Sequence, residues 1–115
     1  MADLNRQTAD GKSELMHLKT KKSAAKLQYT KNQARLSLEL ESDLDLNTLK
    51  LAHTSAEAAF EAYTTVLSAM IAFYEEKEDE TKQDAITREM DLVGSSYADL
   101  NKRYLSQVVE IRSSQ

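Results

Sequence analysis

The chain contains no cysteine, no proline and no tryptophan, and its 115 residues include only two glycines, Gly11 and Gly94. Without cysteine there are no disulfides, no zinc-thiolate sites and no thiol chemistry. Proline and glycine are the strongest interrupters of regular structure, so their scarcity points to few, long elements. Aromatics make up 6% of the chain, too few for a base-stacking surface. No glycine-rich phosphate loop is present. Residues Met1 to Arg6 lack the apolar core of a secretion signal. The longest nearly uncharged stretch, Ala62 to Tyr74, is too short to span a bilayer. These absences lead us to expect a soluble, intracellular protein with no membrane partner.

What is present is charge. Charged residues reach 30% against 41% apolar, a balance that suits a thin helical bundle whose helices stay wet on one side. The charge is unevenly placed. Residues 12–35 carry Lys12, Lys19, Lys21, Lys22, Lys26, Lys31 and Arg35 against Glu14 alone, a net +6. Residues 36–115 hold 16 acidic and 7 basic residues, a net −9.

Apolar spacing defines three helices of about 12–41, 46–77 and 82–112, preceded by a flexible polar tail over 1–11. In the first, Leu15, Leu18, Ala25, Tyr29, Leu36 and Leu40 share one face at about 100° per residue, while Met16, Leu27, Ala34 and Leu38 share the opposite one. A surface helix needs only one apolar stripe; this one has two. Ser42, Asp43 or Asp45 can cap the second helix. Its stripe runs through Leu49, His53, Ala56, Phe60, Tyr63, Leu67, Met70 and Tyr74, widened by Ala52, Ala59, Val66 and Ile71, which makes it the most buried of the three. The run Glu75 to Lys82 has no apolar residue and reads as a turn, with Asp79 or Thr81 as the next cap; a single rod continuing through it is the alternative. The last helix aligns Ile86, Met90, Val93, Tyr97, Leu100, Tyr104, Val108 and Ile111. Gly94 in its middle marks a close helix contact or a local weak point. Three elements near 30 residues each, joined by short turns, predict an all-α, up-down-up three-helix bundle filling residues 12–115 as one domain.

Three constellations resemble chemistry and do not reach it. Glu14 and His17 have the Glu-x-x-His spacing of di-iron bundles, but the second pair is missing because Lys50 precedes His53 at the matching position. An ordinary polar first turn accounts for them better. His53 lies on an apolar stripe with Glu57 one turn away, and no activated Ser or Cys accompanies it, so a core or edge histidine with a satisfied hydrogen bond is the better reading. Asp43-Leu44-Asp45-Leu46-Asn47 opens like a calcium loop, yet Thr48 stands where glycine is required and Thr54 where a bidentate glutamate belongs. No catalytic, cofactor or metal residue is therefore assigned, and no small-molecule substrate is expected.

The stretch Lys21-Lys22-Ser23-Ala24-Ala25-Lys26-Leu27-Gln28-Tyr29-Thr30-Lys31, followed by a helix bearing Phe60 and Tyr63 and then an acidic run, is similar to the N-terminal helical region of Gag-like polyproteins of Pao/BEL-type retrotransposons. There a segment of the form K-R-S-A-A-K-x-x-x-T-R opens a coiled-coil region. The likeness covers about residues 15–80. It departs in having Lys31 where an arginine is frequent, and the 115 residues end before any zinc knuckle, protease or capsid domain. What the resemblance implies is a self-associating scaffold segment. The residues themselves lead to a related expectation: a non-enzymatic module that pairs with itself or with partner helices through Met16, Leu27, Ala34 and Leu38. The alternative is a nucleic-acid-associated protein using Lys19, Lys21, Lys22, Lys26 and Lys31 against phosphates.

Overall fold

The computed structural model describes residues 2–42 and 45–114, with side chains from Gly11 to Ser42 and from Asp45 to Ser113. The described residues form three helices: α1 (Ala2–Glu41), α2 (Leu46–Glu76) and α3 (Glu80–Ser114). They pack into an all-α bundle, an elongated rod of 71 × 21 × 15 Å. α2 is the central element, since α1 and α3 meet each other much less than each meets α2. None of the described helices is long and apolar enough to cross a membrane.

The helix starts where the sequence placed a tail. α1 begins at Ala2, not near Lys12. Gly11 has no left-handed backbone angle and simply continues the helix, as a glycine does when its neighbours favour helix and no proline intervenes. A Cβ at Gly11 would lie 3.7 Å from Lys77 Nζ, so Gly11 is level with the end of α2. The nine helical residues before it overhang the α2–α3 turn by about 13 Å. Met1 lies outside the described residues.

Asp45 starts α2: its backbone is extended and its carboxylate accepts from the Thr48 amide at 2.8 Å. That bond to an otherwise orphaned amide holds the Asp45 carboxyl below its ordinary pKa. Of the other proposed caps, Ser42 instead donates its hydroxyl to Leu38 O at 3.0 Å, and Asp43, with the front of the calcium-like loop, falls outside the described residues.

The acidic run is a turn. α2 ends at Glu76, and Asp79 N bonds Tyr74 O at 2.9 Å while Glu78 N bonds Glu75 O at 3.1 Å. This pair of closing bonds requires a left-handed residue at Glu78, with φ 58°. Asp79 then caps α3, accepting from Lys82 N at 3.2 Å. Thr81 is inside the helix and takes no cap role.

The stripes read from spacing form the interior. A core near the α2–α3 turn gathers Tyr29, Ala59, Tyr63, Leu67, Met70, Phe73, Tyr74, Ile86 and Val93. A second, toward the other end, holds Leu36, Leu49, Ala52, Ala56, Leu100, Tyr104 and Val108. Among the residues whose side chains are described, α2 supplies nine of the buried ones and α1 two, Tyr29 and Leu36. Burial of that apolar surface is what drives the three helices together. Of the two readings of Gly94, the close helix contact is not found: a Cβ there would meet nothing within 4 Å, so no helix presses on it.

Candidate interaction surface

Polar side chains tie the three helices at two levels. Glu89 of α3 receives Lys22 Nζ of α1 at 2.7 Å and the hydroxyl of Tyr63 of α2. Burial pushes the Glu89 carboxyl up, but bonds from Lys22 and Tyr63, with the charges of Lys22 and Lys26, outweigh it and leave its pKa below the ordinary value. The same geometry raises the Tyr63 phenol, first by burial and then by the adjacent carboxylate. Lys22 is thus half-buried and committed to the fold, unlike the other lysines of the basic cluster.

Between the two cores, Gln33 Nε2 donates to Ser96 Oγ at 2.6 Å. Tyr29 is buried beside them and tilted against Phe60 and Tyr63 at 6.2 and 5.6 Å. Burial raises its pKa and Ser96 offsets part of the effect, although no hydrogen bond of normal geometry joins the two hydroxyls. Phe60 stacks on Tyr97 at 4.2 Å. His53, half-buried, lies flat on Tyr104 at 3.8 Å, donates from Nε2 to Asn101 Oδ1 at 2.8 Å, and has Glu57 at 3.9 Å on its other nitrogen. These partners make it a satisfied packing histidine. His17 and Glu14 are both exposed on α1. Among the described residues no cluster of three His, Asp or Glu side chains has metal-binding geometry.

One open groove of about 550 Å³ runs between α1 and α3, lined by Leu40, Asp99, Lys102, Arg103, Ser106 and Gln107 among others. Its lining mixes both charge signs, with Asp99 on the same groove as Lys102 and Arg103.

The outer face of α1 is different in kind. Met16, Leu27 and Leu38 are 71%, 52% and 66% exposed, and Ala34 is exposed with them. Met16, Leu27 and Leu38 recur every 11 residues, a repeat that stays within about 40° of one line along a straight helix. That line points directly away from Tyr29 and Leu36, hence away from α2 and α3. Lys12, Lys19 and Lys26 flank it on one side and Lys21, Lys31 and Arg35 on the other, all exposed. The structure therefore brings the two sets of residues read from spacing, apolar and basic, onto one surface, with Lys22 removed from it. Spacing alone did not single out Leu51, Leu92, Leu105 and Val109, which are also exposed, because each stands singly or in a pair without a repeat.

Compared with protein-family models, curated proteins and solved structures, the chain matches none.

Proposed function

We propose that this protein is a non-enzymatic helical interaction module that joins other helices, its own copies included, through the outer face of α1. The observation that carries the reading is the straight row of Met16, Leu27, Ala34 and Leu38, exposed on the side of α1 that faces neither α2 nor α3. Large apolar side chains aligned over about 33 Å of helix are the pattern by which helices recognise helices, and the bundle gains nothing from them in isolation. The likeness of residues 15–80 to a Gag-like helical region, where self-association is the implied role, points the same way.

The test is Leu27→Glu combined with Leu38→Glu. Both positions are exposed, so the fold should survive with little loss of stability. Sedimentation mass should fall to that of one chain; an unchanged mass would sink the proposal. A second reading rests on the exposure of Lys19, Lys21, Lys26 and Lys31 around the same row, which suits a polyanion. Retention of a duplex or single-stranded probe at about 50 mM salt, falling steeply as salt rises, would favour it.

A further inference from the structure

We infer that the partner of the α1 face is the exposed side of α2 in a second copy of this chain, so that copies associate head to tail. The inference rests on the interaction reading above and supplies its partner.

The two surfaces differ in a way that makes them fit each other better than themselves. Two α1 faces meeting would set six exposed cations against six, a like-charge contact that costs binding. The exposed side of α2 has the opposite character. Glu57 and Glu61 stand on it, and Glu75 and Glu76 close its end. Between them lies an uncharged row of small exposed residues, Ala58, Ala62, Thr65, Ala69 and Ala72. Small residues let an incoming helix approach closely, and the larger Met16, Leu27 and Leu38 have room to seat there. The carboxylates meet the lysines that flank the incoming row.

The heights agree as well. Lys22 and Tyr63 share the carboxylate of Glu89, and Gly11 is level with Lys77. The basic stretch of α1 and the Glu57–Glu76 stretch of α2 therefore occupy the same part of the rod. Each copy offers one surface of each kind at different corners of the bundle. An interface between unlike surfaces leaves a free one at either end and continues past a dimer, into a ring or an open series. The charge split of +6 over residues 12–35 against −9 over residues 36–115 is the sequence-level trace of this arrangement.

Two variants test it. In the first, Lys19→Glu and Lys31→Glu reverse charge on both flanks of the α1 row; in the second, Glu57→Lys and Glu61→Lys reverse the α2 surface. None of these four side chains takes part in the Lys22–Glu89–Tyr63 tie, and circular dichroism checks that each variant remains helical. At low salt the unmodified chain should sediment as a multi-copy species, and each variant alone as a single chain. An equimolar mixture should associate beyond two chains again, the two variants alternating, because each variant's α1 face then fits the α2 surface of the other. A chain carrying all four substitutions should associate again. If the α2 variant associates like the unmodified chain while the α1 variant does not, the α1 face binds elsewhere: head-to-tail pairing is overturned and the interaction module stands. An unmodified chain that stays single at all concentrations overturns self-pairing, and a nucleic-acid probe retained by it and lost by the α1 variant then identifies a polyanion as the partner.

Discussion

The Tyr63 hydroxyl on α2 donates to the carboxylate of Glu89 on α3, and because Glu89 also holds Lys22 of α1 at 2.7 Å, one acidic side chain ties all three helices. A hydrogen bond to a charged group contributes more than a neutral one, but this site is partly exposed and screening reduces it. Tyr63→Phe should therefore cost about 1 kcal/mol in urea unfolding. A double-mutant cycle between Lys22 and Glu89 should give a coupling of about 1 kcal/mol or less. A loss near zero for Tyr63→Phe would mean that the shared carboxylate has no role in holding the helices.

The same tie sets a pH dependence. The folded-state pKa of Glu89 lies below its ordinary value, so its contribution is present above the unfolded carboxylate pKa of about 4.3 and is lost as pH falls through the lower folded value. The stability gap between the unmodified chain and Glu89→Gln should be widest at neutral pH and close in acid. At the alkaline end the sign follows from Tyr63, whose pKa is raised. Its contribution is complete below the unfolded phenol value of about 10 and declines as pH rises beyond it. Tyr63→Phe should remove that part of the alkaline decline, read from urea midpoints at successive pH values.

Apolar periodicity was enough to place the core because burial selects whole helix faces. Tyr29 and Leu36 on α1, the Leu49–Tyr74 stripe on α2 and Ile86–Val108 on α3 all point inward as their spacing requires. It also placed Met16, Leu27, Ala34 and Leu38 outside, since the opposite side of a helix in a three-helix bundle has no neighbour. Local hydrogen bonding made Asp45 and Asp79 legible as caps. The cross-helix partners were not legible: nothing near Lys22 in sequence points to Glu89 or Tyr63, and only docking brings them together. The start of α1 at Ala2 was missed because a polar segment without apolar periodicity can still continue a helix. Which of the two readings of Gly94 holds was not legible, because a helical glycine looks the same in sequence whether a neighbour presses on it or not.

His53 is held by two contacts that substitutions can separate. His53→Phe keeps an aromatic ring against Tyr104 but leaves Asn101 Oδ1 without its donor, while His53→Ala loses both the stack and the bond. Alanine should cost about 2 kcal/mol and phenylalanine about 1 kcal/mol, since stacking and a half-buried hydrogen bond are each worth about 1 kcal/mol. Equal losses in thermal unfolding would show that only one of the two contacts matters.

Gly94 should be replaceable with profit. Its backbone is helical and a Cβ would meet nothing within 4 Å, so Gly94→Ala removes the entropic cost of glycine in a helix without creating a clash. The expected gain is about 0.5–1 kcal/mol, seen as a higher melting temperature. A lower melting temperature would mean that this stretch of α3 needs the freedom of glycine.

The α2–α3 turn offers the sharper backbone test. Glu78 sits at φ 58°, where the closing bonds from Asp79 N to Tyr74 O and from Glu78 N to Glu75 O require a left-handed residue. An L-residue with a Cβ pays about 1–2 kcal/mol for that conformation, and glycine does not. Glu78→Gly regains part of this cost and spends some of it on a freer unfolded chain, so a net gain of about 1 kcal/mol is expected. Glu78→Val should go the other way, because β-branched side chains tolerate positive φ least. Both substitutions remove the same charge, so the difference between them reports backbone conformation alone. If valine and glycine gave equal unfolding midpoints, the turn between α2 and α3 would not depend on the left-handed residue, and the two helices would owe their reversal to core packing only.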